Sequence, residues 1–195
     1  MAGALVLASG LLGGAVRRSL AATYALNRLA TRDQLTGLPN CACLLGKFDR
    51  RLARAPSVAL GLMDLNGFKE NNDTHGHLAG DDLLRAFTVE ARAASSPGEM
   101  IARLGGDEFA FLAATLADAE RFAAELNERL ARPPDVGGLR LKIGSGIGIA
   151  VARPGIAERD LITLADARLY RDKAERKRGE GSPARGERTA LMVVA

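Results

Sequence analysis

Two acidic residues follow a glycine pair in a stretch whose neighbours are mostly apolar. The sequence Gly105-Gly106-Asp107-Glu108-Phe109 lies between the strand-like runs 100–104 and 109–112. A glycine pair between two short strands predicts a β-hairpin, because both turn positions can take positive φ. Glycines also let a bulky anion approach the backbone, and carboxylates beside a phosphate need a divalent cation between them. The pattern therefore predicts a metal-and-phosphate site at a hairpin tip, with a plain exposed acidic turn as the alternative.

A second candidate acid, Asp64, stands near the end of a continuous apolar run. Residues 58–65 are otherwise apolar, which fits a strand buried on both faces. A carboxylate at the end of such a strand is costly unless it is paired or bound to a metal. Asp64 is thus a candidate metal ligand, and a helix N-cap or salt bridge is the alternative.

The elements that must position these acids follow from periodicity and from breakers. Apolar spacing predicts helices over 41–55, 78–94, 116–131 and 157–177, and Pro56 ends the first of them. Strand character extends over 58–65, 100–112 and 139–151. This order predicts an α/β (α+β) domain with a mostly antiparallel sheet flanked by helices. We expect three regions: an apolar segment and linker helix (1–30), the domain (31–178) and a disordered basic tail (179–195).

The charge distribution argues against nucleic acid as a partner. The formal net charge is +4, but residues 171–188 contain seven Lys/Arg against four Asp/Glu. The rest of the chain is nearly neutral and lacks a basic stripe with interleaved aromatics. Cys41 and Cys43 are the only cysteines, and their spacing suits neither a zinc site nor a redox pair, which favours a reduced cytoplasmic setting.

The first 16 residues are uncharged and mostly apolar, and Arg17-Arg18 follows them. A bilayer span usually needs about 20 such residues, so the segment is slightly short. If it spans a membrane, the arginines would stay on the cytoplasmic side and hold the domain there. A buried or frayed amphipathic helix, or the truncated end of a longer span, is the alternative.

Several motifs together resemble those of the GGDEF-family diguanylate cyclases. Besides Gly105–Phe109, residues 33–40 (Asp-Gln-Leu-Thr-Gly-Leu-Pro-Asn) match the family's N-terminal motif, and 64–81 and 165–173 match two further signatures. The resemblance implies a fold like that of adenylyl cyclases and polymerase palms. It also implies condensation of two GTP molecules into cyclic di-GMP and two pyrophosphates by a homodimer. Cys41 departs from the family's usual Arg, which puts one polar contact in doubt.

The resemblance also implies roles for the acids. Asp64, the Leu65 carbonyl and Asp107 would bind two Mg²⁺ or Mn²⁺ ions, with Glu108 close by. Such a pair can activate a ribose 3′-hydroxyl and neutralise the α-phosphate. Asp107 or Glu108 would accept the proton, and Lys69 is a candidate partner of the phosphates or the transition state.

Guanine recognition needs acceptors for N1–H and the 2-amino group and a donor for O6 or N3. Asn72 and Asp81 supply those groups and match the family positions that bind the base. The resemblance places His77 close to them, with Phe68 and Leu84 as walls of the pocket. Alternatively, Asn72 caps a turn and His77 only orders the loop.

Gly105 and Gly106 would lie against the substrate phosphates, and Lys173 and Lys177 match the basic positions that reach the triphosphate. The family's usual Gly-Arg-Asn ending is Arg-Lys-Arg here (176–178), and the alternative for Lys177 is a purely solvated role. Ser96 and Glu99 stand where many members carry the Arg and Asp that bind inhibitory product, which predicts that this site is missing. A catalytically silent regulator that binds GTP or cyclic di-GMP is the alternative to the enzyme.

Overall fold

The computed structural model describes residues 30–132, 135–136, 139–141, 143–155, 163, 165, 167, 169 and 190–193. The apolar segment 1–16, the predicted linker helix up to residue 29, and Lys173 and Lys177 lie outside the described residues. No helix in the described part of the chain is both long enough and apolar enough to cross a bilayer.

Four helices and seven strands make up the described elements. The helices are α1 (Cys41–Leu52), α2 (Phe68–His75), α3 (His77–Ala94) and α4 (Leu116–Leu130). The strands are β1 (Val58–Asn66), β2 (Met100–Gly105), β3 (Glu108–Ala113), β4 (Asp135–Val136), β5 (Leu139–Arg140), β6 (Gly144–Ala152) and β7 (Ala190–Val193). Residues 163, 165, 167 and 169 are also helical, in the segment where a last helix was predicted.

The main sheet has the order β2-β3-β1-β6-β7, and all its pairings are antiparallel except β6 with β7. The mostly antiparallel sheet flanked by helices is therefore confirmed. Strand β1 is central because its apolar residues can be buried on both faces of the sheet. One face packs against α3 and α4 around four phenylalanines, and the other packs against α1. The four are Phe87, Phe109, Phe111 and Phe122, which form two tilted ring pairs.

The structure differs from the predicted elements in three respects: one helix was not predicted, one predicted strand is divided, and two helices end earlier. Residues 68–75 form α2, which periodicity could not reveal because none of its residues is buried. The predicted strand 139–151 is two elements, since β5 pairs with β4 in a separate two-stranded ladder. The helices predicted over 41–55 and 116–131 end at Leu52 and Leu130.

The tail also differs in part from the prediction. Residues 190–193 form β7, which extends the main sheet by pairing in parallel with β6 from Gly148 to Val151. The expectation of disorder over 179–195 is therefore wrong for these four residues, whose sequence Ala-Leu-Met-Val is apolar throughout. Residues 179–189 lie outside the described residues.

Candidate active site

The two acidic segments meet at one edge of the sheet. Asp64 near the end of β1 stands opposite Glu108 at the start of β3 in the antiparallel register. The Leu65 N–H donates to the Asp107 carbonyl at 3.2 Å, which ties the hairpin turn to the end of β1. Residues 42 and 44 positions apart in sequence are thereby held side by side, because β1 and β3 are neighbours.

The hairpin turn is formed by one glycine and one acid. Strand β2 extends to Gly105, and Gly106 and Asp107 are the two turn residues, so the predicted Gly-Gly turn is displaced by one position. Gly106 has φ +51°, a conformation that most side chains avoid. A Cβ added at Gly105 or Gly106 would meet nothing within 4 Å in the described part of the chain. The outer face of the turn is thus open to a bulky ligand.

Arg103 anchors this turn, and sequence reasoning missed it. Its Nε and one terminal nitrogen donate to the Gly106 carbonyl at 3.0 and 2.7 Å. The other terminal nitrogen lies 3.1 Å from each carboxylate oxygen of Asp33. The side chain is only 11% exposed. Its contact with Asp33 is part-buried, and its contact with Gly106 lies at the surface. A lone cation in the apolar run 100–104 was the signal that could have identified it.

Asp33 is the other half of this anchor. Burial raises the pKa of its carboxyl, but hydrogen bonds from Thr36 and Arg103 favour the ionised form more, so the net pKa lies below its usual value. The Thr36 N–H and hydroxyl donate to Asp33 Oδ1 at 2.8 and 2.6 Å. The motif at 33–40 therefore supports the acidic hairpin directly.

Asn40 is the N-cap of α1. Its side-chain oxygen accepts from the Cys43 N–H at 3.0 Å and so caps α1, while its Nδ2 donates to the Ala30 carbonyl at 3.0 Å. Arg103 N–H donates to the Pro39 carbonyl at 3.0 Å, which attaches the motif to the edge of β2. Ala30 is thus joined to the hairpin through the Asn40 side chain and the hydrogen bond from Arg103 to Pro39.

The acidic residues offer the kind of ligands that Mg²⁺ prefers. Asp64 and Asp107 are half-buried and Glu108 is exposed, and backbone carbonyls adjoin them. No group of three or more His, Cys, Asp or Glu side chains is clustered closely enough to enclose a metal within the described part of the chain. Mg²⁺ is usually bound by one or two carboxylates and by substrate phosphates, so the donor set fits that ion without a complete protein cage.

The predicted base-binding residues lie on two consecutive helices. Asn72 is on α2, and His77 and Asp81 are one turn apart on α3, so these two share a helix face. His77 is exposed and Asp81 is half-buried. Buried Gly80 lies directly against the Asn72 amide, a contact that sequence reasoning did not identify.

The remaining predicted residues divide between surface and core. Lys69 is exposed on the first turn of α2, and Phe68 is half-buried against the core. Leu84 is 1% exposed and belongs to the core itself. Their predicted roles toward a nucleotide stay predictions, as do those of Lys173 and Lys177.

A cavity of about 420 Å³ lies away from the acids, near the start of β1. Four cationic side chains of α1 and its C-terminal end line it on one side, and the loop 96–99 lines it on the other. The cationic residues are Lys47, Arg50, Arg51 and Arg54. Glu99 in that loop accepts from the Ser96 N–H at 2.6 Å and pairs with Arg121 at 2.5 Å.

The fold and the site define a palm-like α/β domain that carries an acidic hairpin beside the end of its central strand. The family described as "Diguanylate cyclase, GGDEF domain" matches residues 30–179. The chain belongs to this GGDEF-domain family.

Relatives and solved structures agree with this assignment. The chain is 37% identical over 161 residues to the bifunctional diguanylate cyclase/cyclic di-GMP phosphodiesterase MucR of Pseudomonas aeruginosa, covering 79% of this chain and 24% of that protein. It is 33% identical to the cyclic di-GMP phosphodiesterase PdeR of Escherichia coli, covering 76% of this chain and 23% of the relative. The chain thus spans about a quarter of the length of these two relatives.

Among solved structures, the coiled coil and GGDEF domain of DgcB from Caulobacter crescentus, in complex with c-di-GMP, matches with a TM-score of 0.76 and 26% identity. That match covers 84% of this chain and 91% of the other. The GGDEF domain of PA1120 (YfiN or TpbB) from Pseudomonas aeruginosa matches with a TM-score of 0.68 and 34% identity, covering 80% of this chain and 99% of the other.

Proposed function

We propose that this protein is a diguanylate cyclase that converts two GTP molecules into cyclic di-GMP and two pyrophosphates. The observation that carries the proposal is the junction of β1 with the hairpin, where Asp64 stands opposite Glu108 and Leu65 is hydrogen-bonded to Asp107. This junction gathers carboxylates beside an open glycine turn, which suits a triphosphate accompanied by divalent cations. Membership of the GGDEF-domain family supports the same chemistry.

In each half-reaction, the ribose 3′-oxygen of one GTP forms a bond to the α-phosphorus of the other, and the bond to the β-phosphate breaks as pyrophosphate leaves. Asp64, the Leu65 carbonyl and Asp107 would hold two Mg²⁺ or Mn²⁺ ions. When bound, the ions supply charge neutralisation at the α-phosphate and lower the pKa of the attacking hydroxyl. Asp107 accepts the hydroxyl proton, with Glu108 as the alternative acceptor.

Other residues position the substrate. Asn72 and Asp81 bind the guanine edge beside His77, Phe68 and Leu84, and the open turn at Gly105 and Gly106 lets the phosphates approach the backbone. Exposed Lys69 neutralises phosphate charge, and Lys173 and Lys177 would reach the triphosphate. Catalysis in such a site is mostly positional and electrostatic.

One domain presents one GTP, so two domains must meet face to face and the working unit is a homodimer. The domain acts in the cytoplasm, and residues 1–16 would hold it at the inner face of the membrane if they insert. The linker at 19–30 then sets how often two domains meet.

The test is incubation of the purified full chain with GTP and Mg²⁺, followed by chromatography for cyclic di-GMP and pyrophosphate. We expect both products in a ratio of one to two. A matched control is Asp82→Ala, since Asp82 is an exposed acid that pairs only with Arg85 in the described part of the chain. Absence of product with wild type, alongside intact GTP binding, would overturn the enzyme proposal.

That outcome would support the second candidate, a silent regulator that binds GTP or cyclic di-GMP. The observation that favours it is the 33% identity to PdeR, a relative named as a cyclic di-GMP phosphodiesterase and not as a cyclase. A silent domain would bind guanine nucleotide without releasing pyrophosphate.

A further inference from the structure

The Asn72 amide occupies the space that a side chain at position 80 would fill. A Cβ built on Gly80 would lie 2.8 Å from Asn72 Cγ and nearer still to Asn72 Oδ1. The two residues belong to α2 and α3, which meet at Gly76, whose N–H donates to the Asn72 carbonyl at 2.9 Å. The absent side chain of Gly80 therefore creates the space in which the Asn72 amide lies.

The Asn72 amide oxygen is buried and has no hydrogen-bond partner among the described residues. A buried acceptor without a donor destabilises a protein, so a rotation of this amide that brings its oxygen to a donor is favoured. Asp81 follows Gly80 on α3 and supplies a second acceptor on the face that it shares with His77. Guanine presents two donors along one edge, N1–H and the 2-amino group.

We propose that Gly80 is a specificity-determining positioning residue, which gives the Asn72 amide the clearance to engage the 2-amino edge of guanine. This inference rests on the proposed GTP site. Gly80 itself does not touch the nucleotide and acts only through Asn72.

The contact predicts that Gly80→Ala displaces the Asn72 amide and leaves the rest of the fold unchanged. The atoms that the new methyl group meets are the far end of a flexible side chain, so the Asn72 amide is displaced while the backbone stays in place. Alanine also has a higher helix propensity than glycine, so the fold should keep its stability. If Gly80 acts by positioning the Asn72 amide, Gly80→Ala should lose selectivity for guanine while its free energy of unfolding stays unchanged.

The test measures binding of 3′-deoxy-GTP and 3′-deoxy-ITP to the full chain with Mg²⁺ by calorimetry. Inosine lacks the 2-amino group, and a nucleotide without a 3′-hydroxyl cannot be cyclised. Wild type should prefer the guanine nucleotide, and Gly80→Ala should reduce this preference about tenfold. The matched control is Gly46→Ala within α1, where a Cβ meets only Arg50 at 3.6 Å, and it should leave the preference unchanged.

A double-mutant cycle tests the route through Asn72. Asn72→Ala should reduce the preference by a similar factor, and adding Gly80→Ala to it should change nothing further. An unchanged preference in Gly80→Ala, an equal loss of affinity for both nucleotides, or additive effects in the double variant would each overturn the inference.

Because neither probe can react, the result does not depend on catalysis. A wild-type chain that makes no cyclic di-GMP, but whose guanine preference is lost in Gly80→Ala, would refute the enzyme proposal and support this inference. A wild-type chain that does not distinguish the two probes would overturn the inference even if it forms cyclic di-GMP.

Discussion

The two ends of β1 carry opposite charge. Near its C-terminal end, Asp64 adjoins Asp107 and Glu108, whereas Val58 at its start borders the cavity lined by cations of α1. The two positions are six residues apart, or about 20 Å along an extended strand. An anionic nucleotide would be attracted to the basic end and repelled by the acidic end unless divalent cations accompany it.

The two ends also differ in how far their polar groups are already satisfied. At the basic end, Arg51 donates to the Gly98 carbonyl, and Glu99 is bonded to Arg121 and Ser96. At the acidic end, Arg103 holds the turn from one side and nothing described lies against the glycines on the other. The acidic end is therefore held by hydrogen bonds but open on one side, as a ligand site requires, whereas at the basic end Arg51 and Glu99 already have partners within the protein.

The largest effect should come from removing one acid. Asp64→Ala or Asp107→Ala should abolish cyclisation, because each removes a proposed metal ligand, while the melting temperature and circular dichroism stay close to wild type. Activity above a tenth of wild type in either variant would contradict the two-metal assignment. Lys47→Ala at the basic end serves as the comparison and should retain activity.

Loss of the turn anchor should have the next largest effect. Arg103→Ala removes the charge-assisted hydrogen bonds to Asp33 and Gly106, so the free energy of unfolding should fall by about 1.5–3 kcal/mol and activity should fall with it. Arg103→Lys should rescue only part of the loss, because an ammonium cannot fork between Gly106 and Asp33. Urea unfolding together with an activity assay checks this, and an Arg103→Ala variant as stable and active as wild type would disprove the anchor.

Removing the base contacts should weaken substrate binding more moderately. Asn72→Ala and Asp81→Ala should each raise the GTP KM or relax selectivity toward ATP, because each lost partner costs about 1–3 kcal/mol. Steady-state kinetics with both nucleotides provide the measurement. Unchanged GTP kinetics in both variants would place the guanine elsewhere.

Features that depend on a local sequence pattern could be predicted from the sequence alone. The apolar run of β1, the hairpin and the Asn40 cap each have a local signature, so they could be predicted. Arg103 with Asp33 and Asn72 with Gly80 could not, because each contact joins segments whose approach depends on tertiary packing. Helix α2 was missed because none of its residues is buried and it has no apolar face to give a periodic signal.

A smaller effect is expected in the pH dependence of the free energy of unfolding. Asp33 has a pKa below its unfolded value near 3.8, so its contribution to stability is fully present above that value and is lost as the pH falls through the folded pKa. Urea unfolding of wild type and Asp33→Asn should therefore show a constant difference from pH 7 to about 5, which narrows below about pH 4. A difference that persists undiminished at pH 3 would show that Asp33 is not stabilised as an anion.

The smallest effect is expected at the basic end. Micromolar cyclic di-GMP should not cause noncompetitive inhibition, because Ser96 and Glu99 replace the usual Arg and Asp, and Glu99 is already paired with Arg121. Progress curves with and without added product, together with calorimetry, test this. Tight binding with clear inhibition that disappears in Arg50→Ala/Arg54→Ala would show that the cations of α1 provide a substitute site.

If β1 and the hairpin form one metal-and-nucleotide site, Mn²⁺ should bind there in the presence of 3′-deoxy-GTP. Electron paramagnetic resonance of the full chain should detect two bound Mn²⁺ ions per domain that require the nucleotide. Asp64→Ala and Asp107→Ala should each lose at least one ion, whereas Asp82→Ala should keep both. Nucleotide-dependent Mn²⁺ binding that is the same in wild type and in both acid variants would contradict the account.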